Sequence, residues 1–126
     1  MKAAVLYQIG QPLVVEDGVE IPPLGWGQVL VSLFFSGVCH SQLMEAKGRR
    51  GADPFIPHLL GHEGSGRVEK IGPGVSKVRP GDLVILGWIK ASGLDGGGVR
   101  YRCGDVILNA GGVTTFNDYA IVSENR

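Results

Sequence analysis

The residues best suited to do chemistry in this sequence are Cys39, His62 and their neighbours. Cys39 ends an apolar run and directly precedes residues 41–47 (SQLMEAK), helix formers closed by Gly48. A thiol at the start of a helix ionises more readily than a free one. His62 stands between Gly61 and Gly64, with Glu63 beside it. Thiolate and neutral imidazole are both zinc donors, and a catalytic zinc takes three protein ligands and keeps one position open. Two donors do not make a site, so these residues leave a second reading open: a buried cysteine and an ordinary loop histidine.

Other templates fail. The chain has no G-x-G-x-x-G, no G-x-x-x-x-G-K-[ST], no G-x-S-x-G and no C-x-x-C. H-E-x-x-H fails because Gly64-Ser65-Gly66 follows His62-Glu63. The glycines around His62 therefore read as permitting close backbone approach rather than binding phosphate. Cys103 has no spacing partner, and no secretory signal accompanies it, so no disulfide is expected.

The elements that must hold these residues are short. Of 126 residues 21 are glycine and seven proline, without a collagen period, which fits many strands joined by tight turns. Strands are expected at residues 2–8, 13–15, 28–38, 67–71, 82–89, 106–108 and 116–122. The run at 28–38 (QVLVSLFFSGV) alternates too little for an exposed sheet and should be buried on both faces over much of its length. One or two helical turns fall at 41–47. Residues 49–53 read as an exposed loop, His58 as a solvated loop residue after Pro57, and 91–104 as a glycine-rich loop. The basic cluster Lys47, Arg49 and Arg50 reads as a solvated face. The expected fold is mainly β, barrel-like or sandwich, with one small helix.

Lysine plus arginine and aspartate plus glutamate both number 12, so the net charge is zero. That disfavours nucleic-acid binding and a polybasic membrane anchor, and no apolar run reaches the roughly 20 residues of a membrane span.

Three segments together resemble one family. They are Gly37-Val38-Cys39-His40-Ser41, Gly61-His62-Glu63-Gly64-Ser65-Gly66, and Gly72-Pro73-Gly74-Val75 continuing through Pro80-Gly81-Asp82-Leu83-Val84. In order and spacing the chain is similar to the N-terminal, GroES-like catalytic domain of zinc-dependent medium-chain alcohol dehydrogenases. The resemblance covers residues 1–126 and implies a partly open β-barrel with one or two short helices. It implies one catalytic zinc, and NAD or NADP, for interconverting small alcohols with aldehydes or ketones. By matching position Cys39 and His62 would hold zinc, and Glu63 would be an occasional ligand or an electrostatic neighbour. Ser41 would pass the alcohol proton, His40 would approach the cofactor pyrophosphate, and Trp88 would wall the substrate pocket. The family's dinucleotide-binding Rossmann domain and third zinc ligand have no counterpart here, so a catalytic-domain fragment, inactive alone, is expected. The full-length protein is expected to be a cytoplasmic homo-oligomer.

Three departures stand out. Gln42 replaces the family's frequent Asp beside His62, and Met44 replaces a relay His. Cys103 stands alone where many relatives carry four cysteines for a second, structural zinc, so no second zinc is expected. Two other classes stay open: a zinc-free oxidoreductase domain of the quinone-reductase type, and a non-enzymatic β module binding through loops 93–98 and 109–112.

Overall fold

The computed structural model describes residues 1–126. Nine strands and one helix follow in the order β1 (Ala3–Leu6), β2 (Val14–Glu16), β3 (Gln28–Ser36), α1 (His40–Ala46), β4 (His58–Leu59), β5 (Glu63–Ile71), β6 (Leu83–Gly87), β7 (Arg100–Cys103), β8 (Val106–Asn109) and β9 (Tyr119–Ser123). They form a five-stranded sheet ordered β2-β1-β4-β8-β7 and a four-stranded sheet ordered β6-β5-β3-β9. Every pairing is antiparallel except β4 with β8, and the two sheets do not close into one barrel.

Alternation along β3 explains how the sheets stack. Leu30 joins Ala3, Val5, Leu59, Tyr101, Leu108 and Ile121 in one apolar cluster. Its neighbours Val29 and Val31 point the other way, into a cluster with Val68, Leu86, Val113, Ala120 and Val122. The four-stranded sheet is thus covered on both faces at this end. The expected two-sided burial of 28–38 holds for Gln28–Val31 only, because Phe34, Phe35 and Ser36 are exposed. Bulges between Leu30 and Val31 and between Leu33 and Phe35 shift the β3–β5 register as the strand leaves the core.

Several other expectations need correction. β5 begins at Glu63, four residues before the expected start at 67, so the G-H-E-G-S-G segment runs into the strand. Residues 91–104 contain β7, whose Tyr101 is 2% exposed and accepts a hydrogen bond from the Ile121 amide at 2.8 Å. His58 is not a solvated loop residue: it lies in β4, paired with Leu6 and Asn109, and is 6% exposed. Burial there follows from its place in the middle of the five-stranded sheet. The one helix, α1, agrees with the one or two short helices expected.

The C-terminal segment is pinned by Glu124, 5% exposed. Its Oε1 accepts the amides of Ser76 and Lys77 at 2.6 and 2.5 Å, and Oε2 accepts that of Leu94 at 2.9 Å. These amides hold its carboxyl below the usual carboxylate range, that of Leu94 first.

Candidate metal centre

Cys39 precedes α1, and His62 and Glu63 stand at the start of β5. These elements are neighbours because β3, which leads into Cys39, pairs with β5 from Ser36↔Gly64 onward. The Cys39 sulfur, a His62 ring nitrogen and a Glu63 carboxylate oxygen all lie within 4.8 Å of one another. Glu63 Oε1 is 4.0 Å from His62 Nε2. The three sequence-predicted donors therefore converge, drawn from two separate segments.

The backbone at His62 is held by the 113–116 segment. Leu60 O accepts the amides of Thr115 and Phe116, both at 3.1 Å. Thr115, 2% exposed, donates from Oγ1 to Glu63 O at 2.9 Å and contacts Ser36 Oγ at 2.7 Å. Gly61 makes this approach possible. Its φ is +98°, and a Cβ there would sit 2.3 Å from Thr115 Oγ1. Gly66 serves the same purpose within the sheet, where a Cβ would meet Ser32 O at 2.1 Å. Nothing local in the sequence ties Thr115 to His62.

The thiol of Cys39 is held below its ordinary range, chiefly by the Ser41 hydroxyl and then by the Ser41 amide. Such a sulfur is readily supplied as thiolate, the form that binds metal. Ser41 Oγ also lies 3.5 Å from His62 Nδ1. Gln42, 5% exposed, spans both donors: Oε1 accepts the Cys39 amide at 3.2 Å, and Nε2 lies 2.5 Å from His62 Nδ1. In this orientation the amide donates to Nδ1 and leaves the imidazole proton on Nε2. Rotating the amide presents Oε1 to an Nδ1–H and frees Nε2 to ligate, at the loss of the acceptor that now pairs the Cys39 amide. The sulfur, nitrogen and oxygen set suits zinc, with Gln42 turned in this way.

His62 and Gln42 line a cleft of about 270 Å³ with His58, Phe55 and Val113. His40, the first residue of α1, is exposed. Trp88 follows β6, is 64% exposed, and does not line this cleft; its carbonyl accepts a hydrogen bond from the Arg126 guanidinium. Met44 is half-buried on α1. Cys103 lies at the end of β7, its sulfur 3.9 Å from Glu16 Oε2.

Residues 25–126 match the family described as the alcohol dehydrogenase GroES-like domain. An alcohol dehydrogenase of Geobacillus stearothermophilus is 44% identical over 89 residues, covering 71% of this chain and 26% of that protein. The class-3 alcohol dehydrogenase of Dictyostelium discoideum is 33% identical over 150 positions, covering 98% of this chain and 38% of the relative. The alcohol dehydrogenase of the archaeon Aeropyrum pernix superposes with a TM-score of 0.70 at 28% identity, over 98% of this chain and 38% of that one. A crystal structure of an NAD-dependent alcohol dehydrogenase superposes with a TM-score of 0.69 at 29% identity, with the same coverage. The chain thus spans about a quarter to two-fifths of the length of these relatives. With its mainly β architecture and its G-H-E-G-S-G segment, this chain belongs to the alcohol dehydrogenase GroES-like family, as an N-terminal domain of the zinc-type medium-chain class.

Proposed function

We propose that this chain is the zinc- and substrate-holding half of an alcohol dehydrogenase that interconverts small alcohols with aldehydes or ketones. The observation that carries this reading is the convergence of Cys39, His62 and Glu63 within 4.8 Å. Cys39 and His62 hold one zinc ion, and Glu63 is a third donor or a charged neighbour. Bound there, zinc supplies Lewis acidity that eases loss of the alcohol proton. Ser41 Oγ, next to His62 Nδ1, receives that proton and passes it toward cofactor or water, since Met44 cannot relay it onward. The thioether has no proton to give.

The hydride partner is a nicotinamide cofactor, NAD or NADP, held by a dinucleotide-binding domain outside these residues. Exposed His40 faces its pyrophosphate, and exposed Trp88 contributes to a substrate wall that this second domain completes. Both assignments rest on the resemblance. The share of the relatives' length that the chain covers supports the expectation that residues 1–126 alone do not turn over substrate. No helix is long and apolar enough to cross a membrane. The family resemblance supports a cytoplasmic homo-oligomer for the full-length protein. A zinc-free oxidoreductase or a non-enzymatic β module has no use for the convergence of these donors.

Zinc content and activity test the reading together. The chain should retain zinc after desalting, and Cys39→Ser and His62→Gln should each retain less of it. Joined to a dinucleotide-binding domain of a relative, the chain should oxidise benzyl alcohol with NAD or NADP. A wild-type chain that takes up no zinc, or a fusion equally active with both substitutions, would refute it.

A further inference from the structure

We propose that Glu45, Asp53 and His58 form a second divalent-cation site, distinct in residues and donor chemistry from the first. It goes beyond the dehydrogenase reading and shares no residue with it.

Three segments meet here. Glu45 comes from the last turn of α1, Asp53 from the loop after it, and His58 from β4. One donor atom of each lies within 4.8 Å of the other two. His58 Nε2 and Asp53 Oδ2 are 2.8 Å apart, on side chains only 8% and 6% exposed. Despite that separation the two are not aligned as a hydrogen bond, and neither atom has another partner. Leaving two such atoms unpaired away from water is costly. Donor atoms in near contact whose lone pairs do not face each other are arranged as ligands of a common ion are. At metal–ligand distances of about 2.1 Å a 2.8 Å bite subtends roughly 85°, near the right angle of an octahedron.

Charge points the same way. No lysine or arginine nitrogen lies within 4 Å of either carboxylate. Arg50 lines a depression of about 120 Å³ beside Glu45 and Asp53 without pairing with either. Asp53 is also held in place, since its Oδ1 accepts the Phe55 amide at 2.8 Å and so turns Oδ2 toward His58. An ion could enter through the cleft that Glu45 and His58 line together with His62.

The two sites differ in what they prefer. The first offers a thiolate, which favours zinc. The second offers two carboxylates and one imidazole without sulfur, a harder set that accepts manganese(II) or magnesium as well as zinc. An ion there joins helix, loop and strand, and stabilises whichever state holds it.

Manganese(II) is the probe, followed by electron paramagnetic resonance on the 126-residue chain. Wild type and Cys39→Ser should each bind about one equivalent, and Asp53→Asn and His58→Gln should bind none. Their folding is checked by circular dichroism. A readout on wild type alone covers the case in which those variants fail to fold: at substoichiometric manganese the ring signals of 15N-labelled His58 should broaden more strongly than those of His62 and His40, and the reverse order would place the ion at the first site. No manganese binding by wild type would overturn the proposal, leaving His58 and Asp53 as a buried ion pair. Binding lost in Cys39→Ser but kept in Asp53→Asn would also overturn it, because the ion would then belong to the first site.

Discussion

Gln42 Nε2 lies 2.5 Å from His62 Nδ1, while Oε1 of the same side chain accepts the Cys39 amide. One buried amide thereby contacts both predicted zinc donors, the Cys39 backbone and the His62 ring. A neutral amide can turn either its donor or its acceptor to Nδ1, whereas a carboxylate can only accept. Gln42→Asp should therefore raise zinc affinity by fixing the proton on Nδ1, and Gln42→Leu should lower it about 10–100-fold. Competition against a chromophoric chelator measures both, and equal affinities across the three proteins would show that Gln42 does not set the tautomer.

Gly61 is the hinge of the site backbone. Alanine there would carry a Cβ 2.3 Å from Thr115 Oγ1 and 2.7 Å from the Thr115 nitrogen, at a φ of +98°. Gly61→Ala should cost about 1–3 kcal/mol in urea unfolding through strain alone. It should also weaken zinc binding by displacing His62. Gly51→Ala is the control: its φ of +94° strains the backbone too, but nothing lies within 4 Å of its Cβ. Its zinc affinity should stay unchanged.

Tyr101 joins the two sheets through its hydroxyl and the Ile121 amide. Removing the oxygen in Tyr101→Phe leaves that buried amide unpaired, at a cost of about 1–3 kcal/mol. Burial raises the Tyr101 pKa to about 12. The unfolded chain ionises first, so this contribution is complete below about 10 and is lost as pH rises toward 12. Tyr7 is also raised to about 12, by desolvation and then by its hydrogen bond to Glu16, and acts in the same direction. Unfolding midpoints measured across this alkaline window should fall for wild type and fall less for Tyr101→Phe.

Glu124 makes the fold acid-sensitive. Its pKa is depressed in the folded chain, so its stabilising effect is present above the unfolded value of 4.5 and is lost as pH falls through the folded value. In Glu124→Gln one oxygen can keep the Ser76 and Lys77 amides, but the new NH2 faces the Leu94 amide as donor against donor. Hydrogen exchange should then quicken at Leu94 more than at Ser76. Urea midpoints below pH 4.5 should depend less steeply on pH than in wild type.

Local pattern made β1, β3, α1 and β9 legible, because each is rich in strand or helix formers, and β3 and α1 are also bordered by glycine. It missed β7, four residues in which two arginines flank Tyr101 and disguise a strand whose alternate side is core. Likewise Pro57 suggested a loop around His58, where pairing with β1 and β8 makes a short buried strand.

The site divides along the same line. Cys39, His62 and Glu63 were recognisable from residue type and flanking glycines, since those features are local. That Gln42 bridges Cys39 and His62, that Thr115 clamps the His62 backbone, and that Asp53 and His58 meet out of water are outcomes of tertiary packing. Each depends on segments brought together by β3–β5 pairing and by the sheet order. Residue type decided which atoms could bind a metal, and only the packing of distant segments decided which of them share a point in space.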